Sequence, residues 1–289
     1  MHNLLITGGS GFVAQAVLAH LKNSPEIHAE AVSVRDGAWQ NIDFSRFDAV
    51  LHCAGIAHIS PDPSLNAQYD AVNHRLTALL AERAKEGGVK HFIFLSSMIV
   101  FGEAAPAGIR RTIAPDTLPA PVHAYGQSKL DAENALHALE DSSFCVTILR
   151  PPMIYGDGCK GNYNALVRLA RRFPVFPEFE NRRSMLYVGN LAELIRLAVL
   201  HPVSGTFHPR DGQPRSVSEI VREICSVHKK KMHFSRLLTP AVRLAGTKGI
   251  VRRAFGDMAY ADSMPDFPEE YRIFSFAEGI RLTEANHPW

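Results

Sequence analysis

Tyr125 and Lys129 stand four positions apart in the run Ala124-Tyr125-Gly126-Gln127-Ser128-Lys129. If that run is helical, both side chains share one face. A phenol free in water titrates near ~10, too high for a base at neutral pH. An ammonium held beside it favours the phenolate and lowers that value. Such a pair moves a proton on and off a hydroxyl group. Alone, the spacing also fits a solvated helix face, so the elements around it decide.

The first of these elements is at the N-terminus. Asn3 to Thr7 reads as an apolar strand, Gly8-Gly9-Ser10-Gly11-Phe12-Val13-Ala14 as a glycine turn, and Gln15 to Leu21 as a helix. Glycines in a strand–turn–helix context let the backbone approach a pyrophosphate, with the helix N-terminus facing the anion. The spacing is GxxGxxA, and Ala14 still permits close helix–strand packing.

Further strands are expected at Ala29–Val34, Asp48–Cys53, His91–Leu95 and Phe144–Leu149, with a helix over Leu65–Lys85. The alternation implies an α/β fold, a Rossmann-type doubly wound parallel sheet with right-handed crossovers. A ligand belongs at the carboxyl ends of its strands, where the glycine turn, Cys53-Ala54-Gly55, Ser97 and Pro151 fall. An acid after the second strand would bind the adenine ribose of NAD, and an arginine the extra phosphate of NADP. Arg35 and Asp36 are both eligible, so the cofactor is NAD or NADP. After Arg150 the texture becomes irregular and rich in turns. Residues 1–152 are expected to form the dinucleotide-binding domain and 153–289 mainly a smaller substrate-binding domain, with about 185–200 returning to the sheet.

Composition narrows the field. The 289 residues carry a net charge of +2, and no basic block interleaves with aromatics, so nucleic acid is not an expected partner. Cys53, Cys145, Cys159 and Cys225 form no CxxC pair and no metal-ligand spacing with histidine, so no metal is expected. No apolar run approaches the ~20 residues of a membrane span. A cytoplasmic protein without a membrane partner is the expectation.

These motifs resemble the extended short-chain dehydrogenase/reductases, specifically the NAD-dependent epimerase/dehydratase family acting on nucleotide sugars. Thr7 to Val13 resembles the phosphate loop, which puts Gly8, Ser10, Gly11, Phe12 and Val13 at the cofactor. The resemblance adds Arg35, Cys53, Ala54, Gly55, Asn73, Tyr125, Lys129, Pro151 and Pro152 to that set. Ser96 to Gly102 resembles the serine segment and Tyr125/Lys129 the YxxxK pair, which makes Ser97, Tyr125 and Lys129 catalytic. Asn181 to Leu191 resembles the stretch whose arginine, here Arg183, binds the nucleotide diphosphate. Arg150–Gly156 and Lys160–Tyr163 resemble the branch found in surface-polysaccharide synthesis. Ser97, Asn162 and Arg183 are the substrate-binding residues so implied.

The resemblance implies hydride transfer at C4 of a UDP-hexose or UDP-N-acetylhexosamine, with 4-epimerase narrowly preferred over a UDP-4-keto-6-deoxy-N-acetylhexosamine 4-reductase. Where family dehydratases carry Thr-Asp-Glu this chain has Ser97-Met98-Ile99, which argues against elimination of water. A dinucleotide-sensing protein without catalysis is the rival from another class, but it would not need Ser97, Tyr125 and Lys129 together. The resemblance also implies a homodimer built on helices Leu65–Lys85 and Tyr125–Leu139.

Overall fold

The computed structural model describes residues 1–35, 37–56 and 63–286. Its strands are β1 (His2–Thr7), β2 (Ile27–Val32), β3 (Ala49–His52), β4 (His91–Leu95), β5 (Thr112–Ile113), β6 (Cys145–Leu149), β7 (Met153–Tyr155), β8 (Val175–Pro177), β9 (Met185–Tyr187), β10 (Gly205–Phe207), β11 (His233–Ser235) and β12 (Ala259–Tyr260). Its helices are α1 (Phe12–Leu21), α2 (Asn66–Tyr69), α3 (Leu76–Glu86), α4 (Ala124–Leu139), α5 (Asn162–Arg172), α6 (Val188–Leu200), α7 (Val217–Val227), α8 (Thr239–Leu244), α9 (Gly249–Phe255) and α10 (Phe276–Glu284).

Six strands form one parallel sheet in the order β10–β6–β4–β3–β1–β2. This is the α/β, Rossmann-type sheet that the alternation implies. The chain reverses its progress across the sheet at β1 and β3, so the turns after these strands open a crevice at the carboxyl edge. Strand side chains alternate between faces. Leu4 and Ile6 of β1 and Leu51 of β3 pack with α1 and α6 on one face. Leu5, Val50, Phe92 and Phe94 pack with Leu80 and Ala84 of α3 and Leu136 of α4 on the other. Each large side chain so buried contributes roughly 1.5–3 kcal/mol.

A second core gathers Tyr163 and Leu166 of α5, Phe176 of β8, Phe255 of α9 and Val217, Ile220, Val221 and Ile224 of α7. The α7 residues repeat at the spacing of one helix face. Ser216 and Glu219 close its N-terminus as a reciprocal capping box. Short pairs β11–β8, β12–β5 and β7–β9 lie outside the main sheet.

Three local expectations are corrected. The second strand ends at Val32, two residues early, because the Val32 carbonyl receives Gly8 N at 3.0 Å and Gly9 N at 3.4 Å where the first strand turns away. The first helix begins at Phe12, directly from the glycine turn. The helix expected over 65–85 contains a π-helical stretch, Asp70–Arg75, between α2 and α3.

Candidate active site

The glycine turn and the end of β3 meet closely. Gly8 has φ +78°, and a Cβ there would lie 2.8 Å from the Ala54 backbone. Only glycine fits this turn without moving the strand. Gly11 stands at the N-cap of α1 and offers no side-chain cap, so the first helical N–H groups remain available. Ser10 and Gly11 are exposed, and the Val13 side chain goes into the core. Phe12 lies against Gly156, just beyond β7. Arg35 is exposed three residues beyond β2, its backbone N bound to Ser33 Oγ at 3.3 Å, whereas Asp36 lies outside the described residues.

Below the turn, His52 is fully buried between two hydroxyls. Thr77 Oγ1 donates to the Asn73 carbonyl at 2.8 Å, so it accepts from His52 Nε2 at 2.9 Å, and His52 Nδ1 accepts from Thr7 Oγ1 at 2.6 Å. Burial, helped by the Lys129 charge, pushes the imidazole down to about 3. His52 is therefore a neutral strut.

Asn73 occupies the π-helical stretch. Its Oδ1 accepts from Ile56 N at 2.8 Å, and its Nδ2 donates to the Ile56 carbonyl at 3.1 Å and to Ser128 Oγ at 3.2 Å. Ser128 Oγ donates to the Tyr125 carbonyl at 2.9 Å. Asn73 thus ties the loop after β3 to the first turn of α4. A Cβ on Gly55 would lie 2.9 Å from Asn73 Oδ1 and 3.5 Å from Lys129 Nζ.

The proton-handling groups gather beside this loop. Ser97 opens a 3-10 turn, Met98–Phe101, where its Oγ accepts from Ile99 N at 3.3 Å. The Tyr69 ring stands 6.0 Å from that of Tyr125. Burial pushes the phenol up to about 12, the Ser97 hydroxyl opposes this, and neighbouring Tyr69 adds to it. Lys129 Nζ donates to the Leu95 carbonyl at 2.8 Å and lies 4.6 Å over the Phe94 ring. Burial pulls it down to about 8 against the pull of Cys53 and Glu133. The expected lowering of the phenol by Lys129 is thus absent here: the ammonium is turned to the end of β4, and desolvation governs the tyrosine. Half-buried Cys53 is itself pushed up to about 12 by desolvation of its thiol, which makes it an inert thiol beside Lys129.

Behind α4 lies a network that sequence reasoning missed. Glu133 is 1% exposed, and Arg150 Nη2 donates to its Oε2 at 2.5 Å and Arg150 Nε to its Oε1 at 3.1 Å. Ser96 Oγ donates to the same carboxylate. Tyr260 OH holds the Arg150 carbonyl at 2.7 Å, and Met98 N the Pro151 carbonyl at 2.9 Å, with Pro151 and Pro152 buried. The signal was available: Tyr125, Lys129 and Glu133 repeat at four-residue spacing on one helix face.

Glu103, just after the Ser97 turn, accepts from His123 Nε2 at 2.6 Å and pairs with Arg252 of α9. Arg183 is buried, and its Nη1 donates to the carbonyls of Arg253 at 2.8 Å and Ala254 at 2.9 Å, at the C-terminal end of α9. Burial pulls its guanidinium down to about 10, with Asp257 opposing. Asn162 is exposed as the first residue of α5. Among the described residues neither Arg183 nor Asn162 is hydrogen-bonded to Ser97 or Tyr125, so the structure groups Ser97, Tyr125, Lys129, Asn73 and Gly55 and leaves these two apart.

The model of the NAD dependent epimerase/dehydratase family matches residues 4–208. The chain belongs to this family. It is 34% identical over 246 residues to a UDP-glucose 4-epimerase of Vibrio cholerae, covering 77% of this chain and 74% of the relative. It is 29% identical over 266 residues to an N-acetyl-alpha-D-glucosaminyl-diphospho-ditrans,octacis-undecaprenol 4-epimerase of Escherichia coli O157:H7, covering 84% and 78%. The fold matches a UDP-glucuronic acid 4-epimerase from Bacillus cereus solved with NAD, at TM-score 0.72 and 18% identity over 98% of this chain and 95% of that one. It also matches RMD from Pseudomonas aeruginosa complexed with NADPH, at TM-score 0.72 and 19% identity over 98% of each chain.

This epimerase/dehydratase-family chain is thus an NAD(P)-dependent enzyme of the epimerase/oxidoreductase class. Its own residues fit a dinucleotide: an uncapped helix N-terminus, a turn without side chains at Gly8, and a buried ammonium beside Gly55. Among the described residues no helix is long and apolar enough to cross a membrane.

Proposed function

We propose that the enzyme is a 4-epimerase of a hexose carried on a diphosphate, namely a UDP-hexose or UDP-N-acetylhexosamine used in surface-polysaccharide synthesis. The observation that carries this reading is Lys129 Nζ lying 3.5 Å from where a Cβ on Gly55 would be, one helical turn from the buried Tyr125 whose ionised form Ser97 favours. It focuses one proton donor–acceptor pair beside the dinucleotide loop. The relatives' named substrates are a sugar nucleotide and a lipid-linked sugar diphosphate, which share the diphosphate-linked hexose.

Bound NAD(P) supplies hydride exchange at the sugar carbon. Gly8, Ser10, Gly11, Phe12 and Val13 would hold its pyrophosphate, Arg35 its adenine ribose end, and Cys53, Ala54, Gly55, Asn73, Pro151 and Pro152 the walls. Tyr125 takes the proton from the substrate C4 hydroxyl on oxidation and returns it on reduction. Ser97 holds the same oxygen in line. Lys129 would bind the ribose hydroxyls and lend the positive charge that the phenolate needs. Arg183 offers Nε and Nη2 to the diphosphate, with Asn162 at the α5 N-terminus as a second donor. Residues 1–152 then hold the dinucleotide, and most of 153–289 covers the sugar.

The tyrosine held at about 12 supports a second reading. A phenol that keeps its proton at neutral pH is a ready acid, which suits reduction of a 4-keto sugar. The test offers UDP-glucose and UDP-N-acetylglucosamine with catalytic NAD, and separately a UDP-4-keto-6-deoxy-N-acetylhexosamine with NADH or NADPH. Isomer formation in the first mixture supports the epimerase. Stoichiometric coenzyme oxidation in the second, without isomer in the first, assigns the reductase. Silence in both sinks C4 chemistry on these sugars.

A homodimer belongs to the same proposal. The neighbouring α3 and α4 expose Leu79, Glu82, Gln127 and Asn134. Light scattering at micromolar concentration checks it, and a monomeric mass overturns it.

A further inference from the structure

Charge is distributed unevenly along this chain. Between Glu223 and Asp257 it carries eight of its 31 Lys and Arg and none of its 29 Asp and Glu. With a total of only +2, everything outside this stretch is net acidic. The stretch folds as β11, a 3-10 turn Arg236–Leu238, then α8 and α9.

The turn and α8 run on from one another and present an uncovered apolar face. Leu237 and Leu244, seven residues apart, are each 90% exposed. Pro240 and Ala241 between them are exposed too. Spacings of three, four and seven put these four side chains on one face. Val242, on the other side, packs against the second core. Arg236 and Arg243 are also seven apart, and both are exposed along the flank of the apolar face. The Arg243 stem lies over Gly108, 3.2 Å from where a Cβ would be, which seats α8 on the 106–109 loop. A soluble surface seldom leaves two leucines this bare between cations.

We propose that this helix docks the protein on an anionic membrane surface. Leu237 and Leu244 enter the boundary between headgroups and acyl chains, and Arg236, Arg243 and Lys248 meet lipid phosphates. An amphipathic helix with a basic flank lies in the plane of the interface and needs no spanning length. The expectation of no membrane partner considered only spanning segments. Charge selects this occupant. A twofold contact with a second copy would set this basic stretch against itself, with Glu178, 3.6 Å from Arg236 Nε, the carboxylate paired at its edge. A nucleic acid would satisfy the arginines and leave the leucines in water.

The test is co-sedimentation of the full chain with phosphatidylglycerol-containing vesicles and with phosphatidylcholine vesicles, at low and high salt. Expected is binding to the anionic vesicles only, released by salt. Leu237→Glu with Leu244→Glu should weaken it about tenfold or more, and Arg236→Gln with Lys248→Gln similarly. All four side chains are exposed, so thermal melts and turnover should match the parent. No binding to anionic vesicles overturns the proposal, as does binding that the leucine changes leave intact. A fall in solution mass on the leucine changes would assign the face to a second copy. Binding to single-stranded RNA tighter than to the vesicles would assign it to nucleic acid.

Discussion

Lys129 Nζ donates to the Leu95 carbonyl at 2.8 Å, while the Tyr125 phenol one helical turn away has the Ser97 hydroxyl as the neighbour that favours its ionised form. The two side chains of the pair thus have separate neighbours, and their substitutions should separate as well. Tyr125→Phe removes only the acid–base hydroxyl and should lower turnover by about 10²–10⁴-fold. Dinucleotide affinity and melting temperature should stay near the parent's. Lys129→Met should lower turnover and dinucleotide affinity together, since the ammonium faces Gly55. Titration calorimetry beside steady-state rates reads both, and near-parental activity in Tyr125→Phe would remove its role.

Arg35 is exposed on the rim beyond β2. Arg35→Ala should weaken NADP(H) and leave NAD(H) unchanged. Equal loss for both coenzymes, or none, excludes a phosphate contact.

Glu133→Gln tests the buried network behind α4. The change leaves the Arg150 charge buried against a neutral amide, and breaking such pairs costs about 3–5 kcal/mol. The melting temperature should drop by several degrees. Turnover should fall as well, because Ser96 loses its carboxylate partner next to Ser97. An unchanged melt would show that the pair contributes nothing to stability.

Three buried histidines set the acid limit. Burial lowers His52 to about 3, and His91 and His208 each to about 4. All three are neutral when folded, whereas unfolded imidazole titrates near ~6.5. The unfolded chain therefore takes up more protons as pH falls. Their contribution is complete above ~6.5 and is lost progressively from there toward 4 and then 3. Urea midpoints should hold nearly level above about pH 6.5 and fall from there to pH 5. His52→Gln should flatten that slope, and a midpoint constant over the range would contradict the burial.

The sheet was legible because its strands are unbroken apolar runs divided by glycine turns and amphipathic helices. Ser97, Tyr125 and Asn73 were legible as motifs. What escaped depends on directions in space. Nothing in the spacing of Tyr125 and Lys129 says that the ammonium turns back to Leu95. Arg183 reads as an anion clamp, yet one of its nitrogens is spent on the last carbonyls of α9, a helix too irregular to anticipate. Glu133 is an ordinary helix residue until Arg150 arrives from the neighbouring strand, 17 residues on.

The π-helical stretch at Asp70–Arg75 acts as a phase shifter. A π turn holds one residue more than an α turn, so side chains on either side of it are offset by about 100°. Tyr69 before the stretch reaches Tyr125, Thr77 after it reaches His52, and Asn73 within it reaches Ile56. In a uniform α-helix three residues at this four-residue spacing share one face, and the extra residue turns them onto different bearings. Deleting Ala71 would restore the shorter repeat, and the helix would then keep either its grip on the strand or its place beside the phenol. The extra residue is thus an insertion that the site cannot give back.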